Sequence, residues 1–324
     1  MYTPTMSKYS VLFVCEPIID IFIKYNDKLM KKYNMSVNGF IFINDYSEFD
    51  KCLEIGKNIG GTSLNTFSMI KSNGIFIGAV GKNCTFIENA LEKIDKKYFL
   101  EKRYKKTMTC YIMIKDCFRS MATTQPLKLS IDFIQERIND ILKYNIFYLS
   151  LFMYFSNKEI IDFILKLNHH MLVLNLAPII ENYKLFDEIQ LIIERSKIIV
   201  GNREEFKKLS KLFFKVEENN YTDNILEEYF QVNSKTTFLI CTDGDKDIMY
   251  TDNNNIYYLK PKKINEKDIF TCGAGDAFCA GVLDAFIEGK SSKNIVENGY
   301  KYSYEWIIKK TKEYKDNLKK SKYR

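Results

Sequence analysis

A chain of 324 residues, 46% of them hydrophobic and with 22 Tyr and 24 Phe, has enough apolar surface to bury a large core, which excludes a mainly disordered protein. Lys and Arg total 48 against 41 Asp and Glu, a formal charge of +7 that is spread thinly and gathers only around Lys309–Lys312 and Lys319–Lys322, without the aromatic interleaving of a nucleic-acid grip. The eight cysteines lack paired zinc spacing and several sit in apolar runs, so they read as reduced, buried thiols.

The first residues are polar, and the greasiest stretch, 141–155, is interrupted by Lys143 and Asn145 and is too short for a bilayer crossing. A cytoplasmic protein with no membrane or nucleic-acid partner is expected. His169 and His170 have no acidic or thiol companions at ligand spacing and read as helix-end or surface residues.

In chain order, short β-branched and aromatic runs recur at 10–15, 74–80, 108–114, 146–151, 171–176, 198–200 and 237–241. Between them lie apolar residues at helical spacing, such as Leu64, Phe67 and Ile70, or Phe86, Leu91 and Ile94. Helical patterns also cover 130–148, 157–168, 188–197, 205–216 and 223–230, and two more fill 274–308. Strands alternating with helices predict an α/β fold with a mainly parallel central sheet and helices on both faces. Two segments leave this rhythm, about 21–57 and 104–123, and are expected to form a small β lid within a single domain spanning 1–324.

The sharpest feature is Phe270-Thr271-Cys272-Gly273-Ala274-Gly275-Asp276. Two glycines where a helix begins let backbone N–H groups converge on an anion that the helix dipole also favours. Asp276, one step beyond, is placed to take a proton from an attacking hydroxyl. A tight helix start with a favourable first-turn carboxylate fits the same residues. No Gly-Lys-Ser follows the glycines, and their spacing is wrong for a dinucleotide fingerprint. Gly60-Gly61-Thr62-Ser63-Leu64-Asn65 is a second glycine pair leading into a helix, and Glu16-Pro17-Ile18-Ile19-Asp20 closes the first strand with a carboxylate suited to paired sugar hydroxyls. A glycine turn and a strand-end Asp are equally good accounts of each alone, but the three polar junctions should meet at one end of a parallel sheet.

With Arg119-Ser120, Asn175-Leu-Ala-Pro178, Gly201-Asn-Arg-Glu-Glu205 and Cys241-Thr-Asp-Gly244 in the same order, nearly the whole chain resembles the ribokinase-like (PfkB) carbohydrate kinase superfamily, and within it the adenosine kinases. The resemblance implies a three-layer α/β/α fold with a β lid and ATP-dependent phosphorylation of the adenosine 5'-hydroxyl, giving AMP and ADP. A ribose or fructose kinase and a catalytically silent nucleoside binder are the alternatives. It implies Asp276 as base and Gly273, Ala274 and Gly275 as anion hole, with Arg119 on the donor phosphates. Asp20, Gly61, Thr62, Asn65, Cys110 and Glu16 would line the acceptor site. Asn202, Thr242, Gly244, Thr271, Gly273 and Gly275 would face ATP, and Asn202 and Glu205 would orient Mg²⁺, chiefly through water.

The acceptor base is expected against an apolar wall of Phe40, Phe42, Cys110 and Ile112, and a monomer is expected, with a dimer paired through an exposed lid edge as the alternative. Four departures from the family pattern stand out: Glu16 where Gly-Asn precedes Pro, Phe270 and Cys272 where Asp-Thr-Asn precedes Gly-Ala-Gly-Asp, Met108 in place of Gly, and Asn83 in place of Asp.

Overall fold

Strands that are buried at every position require both faces of their sheet to be covered, and three such strands lie side by side in this protein. The structure, a computed structural model, describes residues 9–37, 39–115, 118–176, 186–216, 222–234, 237–264 and 269–321. Cys117, Lys322, Met1–Lys8 and the Ala177-Pro178 half of one motif lie outside the described residues.

The main sheet has nine strands: β1 (Val11–Val14), β5 (Gly74–Val80), β6 (Lys97–Lys102), β9 (Ile146–Ser150), β10 (Met171–Asn175), β11 (Ser196–Asn202), β12 (Phe238–Thr242), β13 (Ile248–Asp252) and β14 (Asn255–Leu259). Their order is β14-β13-β12-β11-β10-β9-β1-β5-β6, with β1, β5 and β9 buried throughout. All pairings from β12 to β6 are parallel, and only the β12-β13-β14 edge is antiparallel. The connections carry α3 (Thr62–Met69), α4 (Thr85–Glu92), α5 (Ile131–Gln135), α6 (Ile138–Ile141), α7 (Leu151–Ser156), α8 (Lys158–Lys166), α9 (Phe186–Arg195), α10 (Arg203–Phe214) and α11 (Asp223–Asn233). Two helices, α12 (Ala274–Ile287) and α13 (Ser292–Ser321), follow the last strand.

A second sheet of five strands has the order β3-β8-β7-β2-β4, from β3 (Phe40–Ile43), β8 (Phe118–Thr124), β7 (Thr109–Lys115), β2 (Ile18–Lys24) and β4 (Glu54–Gly60). With α1 (Asp27–Lys32) and α2 (Ser47–Asp50) it encloses its own small core of Ile23, Leu29, Met30, Phe49, Tyr111 and Met113. Side chains alternate across a strand, so the register decides what the opposite face carries. Asp20 pairs with Cys110, Cys110 with Thr123 and Thr123 with Phe42, which sets these four in one row across the sheet. A parallel row holds Phe22, Ile112, Met121 and Phe40.

Two helical expectations change. The 130–148 pattern breaks into α5, capped by the Ser130 hydroxyl on the Phe133 amide at 3.2 Å, then α6, and then β9, because the run from Ile146 fills the slot between β1 and β10. The 188–197 helix ends at Arg195, and Ser196 already belongs to β11.

The last two helices pack closely: a Cβ on Gly281 would sit 2.5 Å from the Asn298 carbonyl and 2.9 Å from the Gly299 Cα, while the Asn298 amide donates to the Gly281 carbonyl at 2.7 Å. Gly281→Ala should therefore lose about 2 kcal/mol in urea denaturation, although the same change at an open helix position gains up to about 1 kcal/mol.

Candidate active site

The junctions where β1 leaves the main sheet and where α3 and α12 begin lie together. Gly61 starts α3 at a φ of 103°, and a Cβ there would come within 2.8 Å of the Glu16 carbonyl. Its neighbour Gly60 lies directly against the Asp20 carboxylate, leaving no room for a side chain. One turn into α3, the Asn65 amide donates to Asp276 Oδ2 at 2.8 Å. The next residue, Thr66, reaches the Asp276 carbonyl at 3.4 Å and the Tyr148 hydroxyl at 3.3 Å, and Asn175 donates to that hydroxyl at 2.8 Å. Residues from β9, β10, α3 and α12 thus brace the base of the junction.

The start of α12 is fixed from behind. Gly273 has a φ of 80°, and a Cβ there would press on the Trp306 indole at 3.0 Å. That indole donates to the Cys272 carbonyl at 2.8 Å. The Ala274 amide closes a turn on the Thr271 carbonyl at 3.1 Å, and the Ala277 amide bonds to the Gly273 carbonyl at 2.9 Å. Ala274 is thus engaged, while the amides of Gly275 and Asp276 precede the first intrahelical donor, Ala277. Around Gly275 nothing lies within 4 Å of a Cβ position, so the cradle opens there.

Three carboxylates lie within electrostatic reach of one another. Burial raises Asp276 from an ordinary 3.8 to about 7, against the lowering effects of the Asn65 hydrogen bond and the Arg119 charge. Asp20 also rises to about 7, mainly by burial, with Arg119 opposing and Asp276 assisting. Glu205 reaches about 7 for the same first reason, with a further upward push from Asp276. Arg119, exposed on β8, is the cation facing Asp20, Asp276 and the Cys272 thiol, with which it also shares a hydrogen bond.

Asn202 and Glu205 form a capping box at α10: each side chain meets the other's backbone amide at 2.9 Å. Glu205 Oε2 and Asn202 Oδ1 are thereby engaged in the fold. A half-buried carboxylate raised by burial, with its second oxygen outside the cap, suits a hydrated Mg²⁺ held through water better than a full protein cage. Thr242 lies at the end of β12, its hydroxyl 3.4 Å from the Gly201 carbonyl, and Gly244 has a φ of 61° with open space where a Cβ would be. Thr62 opens α3, and its carbonyl accepts from the Thr66 hydroxyl at 2.9 Å.

Glu16 differs from expectation. It is 3% exposed, and Ser156 and Asn157 both donate to its Oε1, which turns the carboxylate toward the α7–α8 junction. Asn157 also accepts from the Leu129 amide at 2.9 Å, so Glu16 and Asn157 tie together two of the connections between the sheets. Burial raises Glu16 to about 7.

Two aromatic contacts were not legible in the sequence. Phe42 stacks on Phe152 of α7 with centroids 6.2 Å apart, and Phe22 meets Phe270 at 6.3 Å. Both join the Asp20 face of the second sheet to the main body. No periodicity signals a contact between elements so distant in sequence.

Residues 32–309 match the pfkB family carbohydrate kinase. The chain belongs to the pfkB family. Among curated pfkB-type relatives, adenosine kinase of Dictyostelium discoideum is 24% identical over 330 residues, covering 93% of this chain and 95% of that protein. In fold, the chain resembles adenosine kinase from Schistosoma mansoni in complex with 2-fluoroadenosine, with a TM-score of 0.76, 20% identity, and 92% and 94% of the two chains covered. Anopheles gambiae adenosine kinase in complex with P1,P4-di(adenosine-5) tetraphosphate gives a TM-score of 0.78 at 18% identity, covering 92% and 95%. The ribokinase-like α/β fold is thus shared. No helix among the described residues is long and apolar enough to cross a membrane.

For a pfkB protein this site has a measurable consequence in stability. A carboxyl whose folded-state pKa lies above its unfolded value contributes most while protonated in both states, and its contribution falls as pH rises from about 4 to about 7. Asp276→Asn removes that penalty and keeps an acceptor for Asn65. Its thermal midpoint should exceed that of the unaltered protein only slightly at pH 4.5, and the gap should widen by about 2 °C or more by pH 8 in scanning calorimetry.

Proposed function

We propose that this chain transfers the γ-phosphoryl group of ATP to the 5'-hydroxyl of adenosine, producing AMP and ADP. The observation that carries the reading is the half-buried Asp276 carboxylate, bonded through one oxygen to Asn65 and set one residue past an open glycine at the start of α12. Oδ2 accepts from Asn65, so Oδ1 is the oxygen available to the alcohol. The acceptor hydroxyl gives its proton to Oδ1 as its oxygen bonds to Pγ, and the bond from Pγ to the bridging β–γ oxygen breaks, with ADP carrying away the electron pair. The Gly275 and Asp276 amides and the Arg119 guanidinium receive negative charge on the transferring group.

Asp20, Gly61 and Asn65 are assigned to the ribose, with Thr62 beside them, and Cys110 lies next to Asp20 in the sheet row. Thr242, Gly244 and Thr271 are assigned to the donor side. Mg²⁺ bound through water near Asn202 and Glu205 would offset phosphate charge. The second sheet is assigned as a lid: its Asp20 face covers the α12 start, and closing it excludes water that would compete for the phosphoryl group.

Phe40 and Phe42 are 41% and 43% exposed on that face, and Phe42 meets Phe152 from the opposite side. A flat aromatic base fits such a wall better than a free sugar, which favours a nucleoside acceptor. Glu16 is withdrawn into the hinge and is assigned there, not to the acceptor.

Purified protein incubated with ATP-Mg²⁺ and a panel of adenosine, other nucleosides, ribose and fructose should yield AMP, identified by mass. Sugar phosphate alone would replace adenosine with a sugar acceptor, and absence of any product would mark a silent nucleoside binder. Asp276→Asn should lower kcat by about 10³-fold with little change in adenosine binding. Since the base must be ionised, kcat/KM should fall about tenfold per pH unit below about pH 7. Phe152→Ala should raise the adenosine KM about tenfold while leaving the ATP KM unchanged, as steady-state kinetics would show.

A further inference from the structure

Asp284 lies eight residues beyond Asp276 on α12 and is 3% exposed. It accepts from the Lys71 and Ser72 backbone amides at 2.8 and 2.9 Å, immediately past the end of α3, and from the Tyr302 hydroxyl of α13 at 2.8 Å. The Lys71 ammonium lies 5.1 Å from the Tyr302 ring centre. Lys96, from the turn before β6, donates to the Phe67 carbonyl at 3.0 Å and to the Ile70 carbonyl, closing the last turn of α3. Three elements, α12, α13 and the turn before β6, therefore converge on the far end of an eight-residue helix.

An eight-residue helix has little stability of its own, so its placement depends on what holds its two ends. Here both ends are tied to α12: Asn65 to Asp276 at the cleft, and residues 71 and 72 to Asp284 in the interior. The two helices run parallel, and Thr66 touches the Asp276 carbonyl between the ties. Two of the interior donors are backbone amides, so on the α3 side the tie is fixed by the chain itself and not by a side-chain rotamer. Sliding or rolling α3 by an ångström strands a buried carboxylate, which is costly, and at the same time breaks the Asn65 contact.

We propose that Asp284 is a positioning residue for phosphoryl transfer, fixing the end of α3 against α12 so that Asn65 stays in hydrogen-bonding register with Asp276. Its catalytic meaning rests on the reading of Asp276 as base. The groups facing Asp276 are Arg119 from β8, Asp20 from β2, Glu205 from α10, Tyr148 from β9, and the thiols of Cys15, Cys272 and Cys279. None of these is among the described hydrogen-bond partners of Asp284, whose donors lie just past α3 and on α13.

The test is ¹³C-carboxyl NMR titration of Asp276 in the full chain, in the unaltered protein, Asn65→Ala, Asp284→Asn and the double variant, with kcat measured per folded molecule. The Asn65 bond lowers the Asp276 midpoint, so Asn65→Ala should raise it by about 1 pH unit. Asp284→Asn should raise it in the same direction by about half as much and lower kcat about tenfold, with the ATP KM unchanged. The double variant should titrate like Asn65→Ala alone.

If Asp284→Asn melts earlier yet leaves the Asp276 midpoint and kcat per folded molecule unchanged, Asp284 is a stability residue only and the proposal is overturned. Should that variant not fold, Tyr302→Phe removes one of the three donors and carries the same test with the same signs. If the unaltered protein phosphorylates no acceptor, the kinase reading fails, while the titration still decides the register claim.

Discussion

One hydrogen bond between residues 211 positions apart organises the site: Asn65 on α3 donates to Asp276 on α12. Burial alone pushes this carboxyl toward neutrality, and the amide and the Arg119 charge pull it back toward ionisation. The balance leaves Asp276 titrating at about 7, a range that suits the general-base role proposed for it. The bond also fixes which oxygen of the carboxylate is occupied and which is left over. The glycine starts of both helices serve this geometry, because Gly61 lets the chain approach the Glu16 backbone and Gly273 lets it approach the Trp306 indole, where a Cβ would intrude.

The second sheet supplies the rest of the site through strand register. Asp20, Cys110, Thr123 and Phe42 share a row because four strands pair in one alignment, and a one-residue slip would turn all of them into the small core behind. The contacts Phe22–Phe270 and Phe42–Phe152 seat that face on the main body. Phe270 stands where the family pattern carries Asp. Its amide donates to the Thr311 hydroxyl at 3.0 Å, so the loop before α12 is held by packing and a backbone bond where a side-chain charge would otherwise act.

Much of this was legible in the sequence for identifiable reasons. Continuous apolar runs marked β1, β5, β9 and β10 because strands buried on both faces have no polar positions. The glycines at 60, 61 and 273 marked helix starts because a side chain there would meet Asp20, the Glu16 carbonyl and Trp306. What stayed hidden depends on contacts between distant elements or on weak local patterns. β6 and β14 are half-buried, mixed-polarity edge strands with little periodic signal. Glu16 reads as a pocket residue by position, yet Ser156 and Asn157, some 140 residues away, bind it at the α7–α8 junction. Phe152 and Asp284 sit in ordinary helical patterns, and only their partners give them meaning.

The account requires Asp276 to act as a base toward the acceptor alcohol and never to bond to phosphorus. The stereochemical course at phosphorus tests this directly, using ATP made chiral at the γ-phosphorus with oxygen isotopes and analysing the configuration of the product phosphate ester. A single in-line displacement by the alcohol predicts inversion. Retention would mean two successive displacements through a phosphorylated protein group, and would contradict the assignment of Asp276 as base.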